Sequence, residues 1–136
     1  MRILFSAIPG YGHVLPLIPL AEAAIRHGHE AVVATGDPLL GRLSVPSVRG
    51  YPPGTLSEAE EEVMRRHPEL ATVPPDERFR IGLELFADVG FEAVRSAVRR
   101  LIIEQQPSLV VYEAMAVGAA AAALEHGAPA CVLTRG

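Results

Sequence analysis

A chain of 136 residues, 49% of them hydrophobic and 21% charged, has the makeup of one globular domain, long enough to bury about two-thirds of its unfolded surface. That balance excludes a disordered chain, which needs low hydrophobicity and high charge, and a formal net charge of −4 argues against a nucleic-acid partner, whose binders carry basic surfaces. No apolar run approaches the ~18 residues of a membrane span, and a single cysteine, Cys131, permits neither a disulfide framework nor a cysteine-rich zinc site.

The first residues hold too short an apolar run for a secretory signal, so the expectation is a soluble, cytoplasmic protein. Arg2–Ile8 is a short apolar run ending in Pro9-Gly10, the pattern of a buried strand bounded by a turn. A helical pattern follows from about Val14 to His27, with Leu17, Leu20, Ala21, Ala24 and Ile25 at helical spacing. Pro16 and Pro19 are tolerable there only within the first turn, and Gly28 supplies the stop. Glu30–Thr35 is a second strand, broken by Gly36-Asp37-Pro38. Strand, helix and strand in this span make a βαβ unit and hence a parallel sheet.

The stretch from Pro38 to Thr55 carries weaker signals. Leu39–Leu43 reads as a short helix and Val45–Tyr51 as a weak strand, which its flanking prolines confine to an edge. At Ser57 the pattern Ser57-Glu58-Ala59-Glu60 fits a capping box. The helix it opens runs from acidic (Glu58, Glu60, Glu61, Glu62) to basic (Arg65, Arg66), as the helix dipole favours, and Pro68 stops it. Pro74-Pro75-Asp76 opens the next helix. Phe79, Leu83 and Phe86 share one of its faces, and Phe91, Val94, Val98, Leu101 and Ile102 continue as an amphipathic stripe up to Pro107. Leu109–Tyr112 is a strand, Ala114–Glu125 an alanine-rich helix, and Ala130–Thr134 a final strand in which Cys131 reads as a small buried hydrophobe. No repeat or linker interrupts this order, so the fold class is α/β, a doubly wound, Rossmann-like parallel sheet. Such a domain normally continues past its last strand, so the chain is expected to be incomplete at its C-terminus.

Open parallel sheets bind ligands beyond the carboxyl ends of their strands. Three loops lie there: Pro9–His13, Gly36–Asp37 and Glu113–Val117. Two of them carry ionisable residues suited to acid–base work, His13 and Glu113. A carboxylate beside an imidazole fixes its tautomer and stabilises the imidazolium, which makes a workable general base. They are expected to approach each other at this edge, with or without direct hydrogen-bond reach. The competing reading of the same spacing is that each simply caps a helix. Gly10-Tyr11-Gly12-His13-Val14-Leu15 begins like the dinucleotide fingerprint G-x-G-x-x-G, with Asp37 placed to reach a ribose. Leu15 stands where that fingerprint needs a small residue, and the glycines equally serve a tight strand-to-helix turn. His27, His29, His67 and His126 lie near helix ends and form no metal cluster.

The segment IPGYGHVLPLIPLAEAAIRHGHEAVVATG resembles the N-terminal domain of nucleotide-sugar-dependent glycosyltransferases of the two-domain GT-B fold, above all the bacterial enzymes that glycosylate antibiotics and other natural products. The family pattern G-H-x-x-P, a leucine-rich helix and R-x-G-H-E/D-V matches Gly12–Pro16 and Arg26–Val32. PSLVVYEAMAVGAAAAALEHGAPACVLT matches a second pattern, P-D-x-V-V-x-D, then G-A-A-x-A-A, then G-x-P. Together the matches cover about half of the chain. A bacterial source also fits a composition whose twelve basic residues are all Arg and which lacks Lys, Asn and Trp. The resemblance implies that His13 deprotonates an acceptor hydroxyl, which inverts the anomeric carbon of a hexosyl or deoxysugar donor. Its carboxylate partner falls at Glu113, where the family has the shorter Asp, and Ser108 stands where the family often has Asp. Gly12 would flank the donor diphosphate, and Tyr11, together with Phe79, Leu83 and Phe86 of the variable segment Pro52–Gly90, would line the acceptor pocket. No cofactor or metal is implied, since the nucleotide-sugar is a co-substrate. The partners implied are a small-molecule acceptor and, through a C-terminal domain missing here, the nucleotide-sugar. Two other classes compete with this one: a non-catalytic module that binds a small molecule or a protein partner, and a nucleotide-cofactor protein.

Overall fold

The computed structural model describes residues 1–134. Five strands form one sheet: β1 (Arg2–Ser6), β2 (Glu30–Thr35), β3 (Ser47–Arg49), β4 (Leu109–Glu113) and β5 (Ala130–Leu133). Their spatial order is β3-β2-β1-β4-β5, and every pair is parallel. The chain winds outward from β1 to β2 and β3, then returns to the other side of β1 for β4 and β5. The order therefore reverses between β1 and β4, and at such a reversal the flanking loops diverge and leave a crevice. In register, Ser6 lies level with Ala34 on one side and Tyr112 on the other.

Alternation along β1 sorts the two cores, as the twofold repeat of a strand requires. Ile3 and Phe5 pack on one face with Val14, Leu17, Ala21 and Val33. Leu4 packs on the other with Val94, Val98, Leu101, Val110 and Ala119. The first face is covered by a helical run that the sequence presents as one helix and the structure divides: α1 (Tyr11–Val14), a 3₁₀ turn at Leu15–Leu17, and α2 (Ile18–Arg26). The two prolines impose this division. Pro16 falls in the first positions of the 3₁₀ turn and Pro19 in those of α2, where no intrahelical N–H is lost. Gly28 ends the run at φ 85°, and the N–H of His29 bonds back to Ala24 O at 3.0 Å.

The second face carries α3 (Leu56–Arg66), α4 (Pro75–Gln105) and α5 (Gly118–Glu125). The capping box of α3 lies two residues before the expected one. Thr55, not Ser57, is the N-cap: the Glu58 N–H donates to Thr55 Oγ1 at 3.0 Å, and the Thr55 N–H to Glu58 Oε2 at 3.0 Å. Both registers satisfy the sequence pattern, and this one turns Ala59 and Val63 into the core. Helix α4 has 31 residues, about 46 Å at 1.5 Å per residue, whereas a five-residue strand spans about 17 Å. Its second half covers the sheet through Val94, Ala97, Val98, Leu101 and Ile102, and its first half extends beyond.

Four other expectations need correction. The helix predicted at Leu39–Leu43 is a 3₁₀ turn at Asp37–Leu39, and β3 keeps only three residues of Val45–Tyr51, as an edge strand next to prolines would. Helix α5 starts at Gly118 rather than Ala114, because the backbone after Glu113 turns first, with the Ala116 N–H bonded to Glu113 O at 2.9 Å. Cys131 is exposed, not buried, since β5 is the outer strand and most of its residues are uncovered.

Candidate active site

The crevice between β1 and β4 holds both predicted acid–base residues. β1 ends at Ser6, and the chain passes through Ile8 and Pro9 to Gly10, whose extended backbone (φ −141°, ψ 139°) caps α1. His13 follows within that first turn, its N–H bonded to Gly10 O at 2.9 Å. Glu113 closes β4. Because β1 and β4 are neighbours, the two loops face each other, and His13 Nδ1 lies 3.1 Å from Glu113 Oε2. The expected approach is thus a direct contact.

Glu113 is held as well as buried. It is 7% exposed, and a carboxylate so placed needs donors. It has two besides the imidazole: the Met115 N–H donates to Oε2 at 2.9 Å and the Ile8 N–H to Oε1 at 3.3 Å. The side chain is one methylene longer than Asp, and its reach is spent on this span from the β1 loop to its own turn. With no proton on the carboxylate, Nδ1 carries the hydrogen of the His13–Glu113 contact, which leaves Nε2 with a lone pair. The His13 side chain is 35% exposed, open to a cavity of about 440 Å³ lined by Gly12, His13, Pro16, Glu113, Ala114, Met115 and Leu133. The arrangement can accept a proton from a small molecule in that cavity.

Of the expected acceptor-side residues, three come together and one stays apart. Phe79, Leu83 and Phe86 line a groove of about 340 Å³ between α3 and α4, with Val63 and Met64. Phe79 is 73% and Leu83 53% exposed, a large apolar surface for residues outside a core. Phe86 also borders a second cavity, of about 290 Å³, that includes Ile8, Tyr51, Gly90, Phe91 and Met115. Ala114 and Met115 line both this cavity and that of His13. Tyr11 is exposed and borders none of these three spaces. Gly12 lines the His13 cavity, but the α1 that begins beside it is one turn long.

The dinucleotide reading finds less. Asp37 is ion-paired with Arg49 Nε at 2.8 Å, and exposed Leu15 occupies the small-residue position. Among the described residues no group of three or more His, Cys, Asp or Glu is arranged to hold a metal ion, and no helix is long and apolar enough to cross a membrane. Reasoning from sequence missed the Ile8 and Met115 backbone donors, which no side-chain pattern encodes. It also missed Tyr51, whose setting among Pro52, Pro53 and Gly54 suggests an exposed turn although the residue is fully buried.

A parallel sheet in this order matches the N-terminal half of GT-B glycosyltransferases. The chain is similar in sequence to L-demethylnoviosyl transferase of Streptomyces niveus, with 31% identity over 132 residues, or 95% of this chain and 33% of that protein. It therefore spans about a third of the length of the curated relative it matches. Among solved structures it is similar to the glycosyltransferase SnogD from Streptomyces nogalater, with TM-score 0.72, 28% identity, 98% of this chain and 33% of that one covered. The Streptomyces sp. SF2575 glycosyltransferase SsfS6, complexed with thymidine diphosphate, shares the fold at TM-score 0.66 and 22% identity, over 97% of this chain and 38% of that one. No family model matches the chain. Over nearly its whole length the chain resembles part of the natural-product glycosyltransferases of the GT-B fold.

Proposed function

We propose that this chain is the acceptor side of an inverting glycosyltransferase that moves a sugar from a nucleotide-sugar to a hydroxyl of a small natural product. The observation that carries the reading is the 3.1 Å contact between His13 Nδ1 and Glu113 Oε2 at the mouth of a cavity. In this reaction the acceptor hydroxyl gives its proton to His13 Nε2 as its oxygen forms a bond to the anomeric carbon. The bond from that carbon to the diphosphate breaks, and the nucleoside diphosphate leaves with the electron pair. Glu113 keeps the proton on Nδ1 and stabilises the imidazolium that forms. Attack opposite the leaving group inverts the carbon.

The division of labour follows from charge. Departure of the diphosphate needs dipoles aimed at its growing negative charge, and the Gly12 loop offers at most one flank of such a site. The donor belongs to the remainder of a longer enzyme, in keeping with a relative three times as long and with the thymidine diphosphate held by SsfS6. The chain by itself is then inactive. Loss of a general base costs about 10²–10⁴ in rate, so His13→Ala in the longer enzyme lowers turnover by about that factor. Mass spectrometry of products from a nucleotide-sugar panel measures it. Near-normal turnover of the variant removes His13 as the base, and turnover by the chain alone defeats the division of labour.

A further inference from the structure

Of the residues that line the His13 cavity, only Leu133 and Met115 carry long apolar side chains, and the fold uses one of them. Leu133 packs against the core on the α2 face of the sheet. Neither core, as the described residues form it, includes Met115, which is 46% exposed. An apolar side chain left open to water forgoes burial that a ligand in the cavity restores. The root of Met115 is nevertheless fixed. Its N–H donates to Glu113 Oε2 at 2.9 Å, and the next N–H, that of Ala116, donates to Glu113 O at 2.9 Å. Oε2 is also the oxygen that His13 Nδ1 meets at 3.1 Å, so the base and the root of Met115 stand on the same carboxylate oxygen. A molecule in the cavity whose hydroxyl reaches His13 Nε2 therefore has the Met115 side chain beside it. That side chain is unbranched and carries a polarisable sulfur, which adapts to varied shapes and attracts aromatic rings.

Resting on the acceptor-side reading above, we propose that Met115 is a specificity-determining residue, which receives an aromatic ring of the acceptor against its thioether while a hydroxyl of that ring meets His13 Nε2. The acceptor is then a phenol or a fused aromatic alcohol, preferred over a saturated alcohol of the same outline. The rest of the lining agrees: among the described residues, the cavity walls carry no ionisable or hydroxyl side chain besides His13 and Glu113, so a largely apolar ring suits them. Met64, exposed in the groove between α3 and α4 beside Phe79 and Leu83, offers the rival position for the same ring.

The two positions are separable because the chain has 3 methionines, Met1, Met64 and Met115, so carbon-13 labelling of the methionine methyl groups gives one signal for each place. The whole chain is titrated with 2-naphthol and with its saturated counterpart, 2-decalol. The expected result is a saturable ring-current shift of the Met115 methyl with 2-naphthol, with the His13 ring protons moving on the same binding curve and Met1 still. The saturated alcohol binds more weakly. Met115→Leu keeps the volume and removes the sulfur. It is expected to narrow the preference for 2-naphthol over 2-decalol about two- to tenfold, the worth of a sulfur–aromatic contact, and to leave the Tm unchanged, since no core packing is lost. Movement of Met64 in place of Met115 puts the ring in the groove between α3 and α4 and overturns the proposal. So does the absence of a saturable shift at Met115, a His13 ring that does not follow it, or an unchanged preference in Met115→Leu. Failure of the acceptor-side reading shows separately, as turnover that survives His13→Ala in the longer enzyme.

Discussion

The ends of β1 and β4 and the outer half of α4 border adjoining cavities, yet they are built on opposite principles. At the strand ends one carboxylate is fixed by two backbone N–H groups and an imidazole, on neighbouring strands whose register leaves little play. On the outer half of α4, Phe79 and Leu83 stand exposed on a helix that extends past the sheet. A reacting proton needs a base within a few tenths of an ångström of its place, which suits the strand ends. Recognition of an apolar body needs surface, which a projecting helix supplies.

The contrast is broken most severely at Glu113. Glu113→Ala leaves the buried Ile8 N–H without an acceptor, at about 1–3 kcal/mol for that group alone, with the Met115 N–H and the lost packing in addition. Urea unfolding is expected to show a lower midpoint with an unchanged slope. A variant as stable as the parent chain would mean that the carboxylate is not anchored as described. Glu113→Asp tests the finer point: the shorter side chain cannot span all three donors without movement of the β4 turn, and its stability is expected to fall between those of the other two.

Next in size is the joint between α4 and α5. Gly118 lets the two helices touch: a Cβ there would lie 2.2 Å from Phe91 O and 2.6 Å from Arg95 N. Backbone atoms cannot step aside singly, so Gly118→Ala pushes the helices apart at about 1–3 kcal/mol. Thermal unfolding measures the loss. Because Phe91 borders the Tyr51 cavity, the amides of Gly90 and Phe91 are expected to shift while that of His13 does not. A shift at His13 would show that wall and strand ends are coupled more tightly than their separate anchoring implies.

The smallest effect belongs to α3. Hydrogen bonds from Arg65, then from Arg66, hold the Glu62 carboxyl at about 2, below its ordinary 4.5. A carboxyl lowered by folding adds stability that is complete above its unfolded value and disappears as pH falls from there through about 2. Glu62→Gln is thus expected to flatten the acid limb of the stability curve slightly in that window and to leave stability near pH 7 almost unchanged, because exposed pairs are screened by water. A large loss at pH 7 would assign Glu62 a structural role that its exposure argues against.

The same contrast governs what could be read from sequence. The expected spans of four strands agree with the observed ones within two residues, because short apolar runs between turn formers have few other uses. His13 and Glu113 are legible because the loops after two neighbouring parallel strands lie at one carboxyl edge, on either side of the same crevice. Thr55-x-x-Glu58 and Ser57-x-x-Glu60 satisfy the same capping-box pattern, and only the burial of Ala59 and Val63 selects between them. The resemblance puts Tyr11 in the acceptor pocket, whereas in the structure it is exposed and, two residues from His13, faces about 200° around the helix from it. The apolar pattern around Cys131 points to the core, but an apolar strand looks alike at the centre and at the edge of a sheet, and the structure places Cys131 at the edge.

That exposed edge makes the protein convenient to watch. Cys131 is the sole thiol of the chain and is open to reagents. It lies two residues before Leu133, on the same side of β5 by strand alternation and about 7 Å away, and Leu133 lines the His13 cavity. An environment-sensitive fluorophore coupled to the native cysteine would therefore sit at the rim of the His13 cavity with no engineered attachment point, and its emission would report whether that cavity is filled.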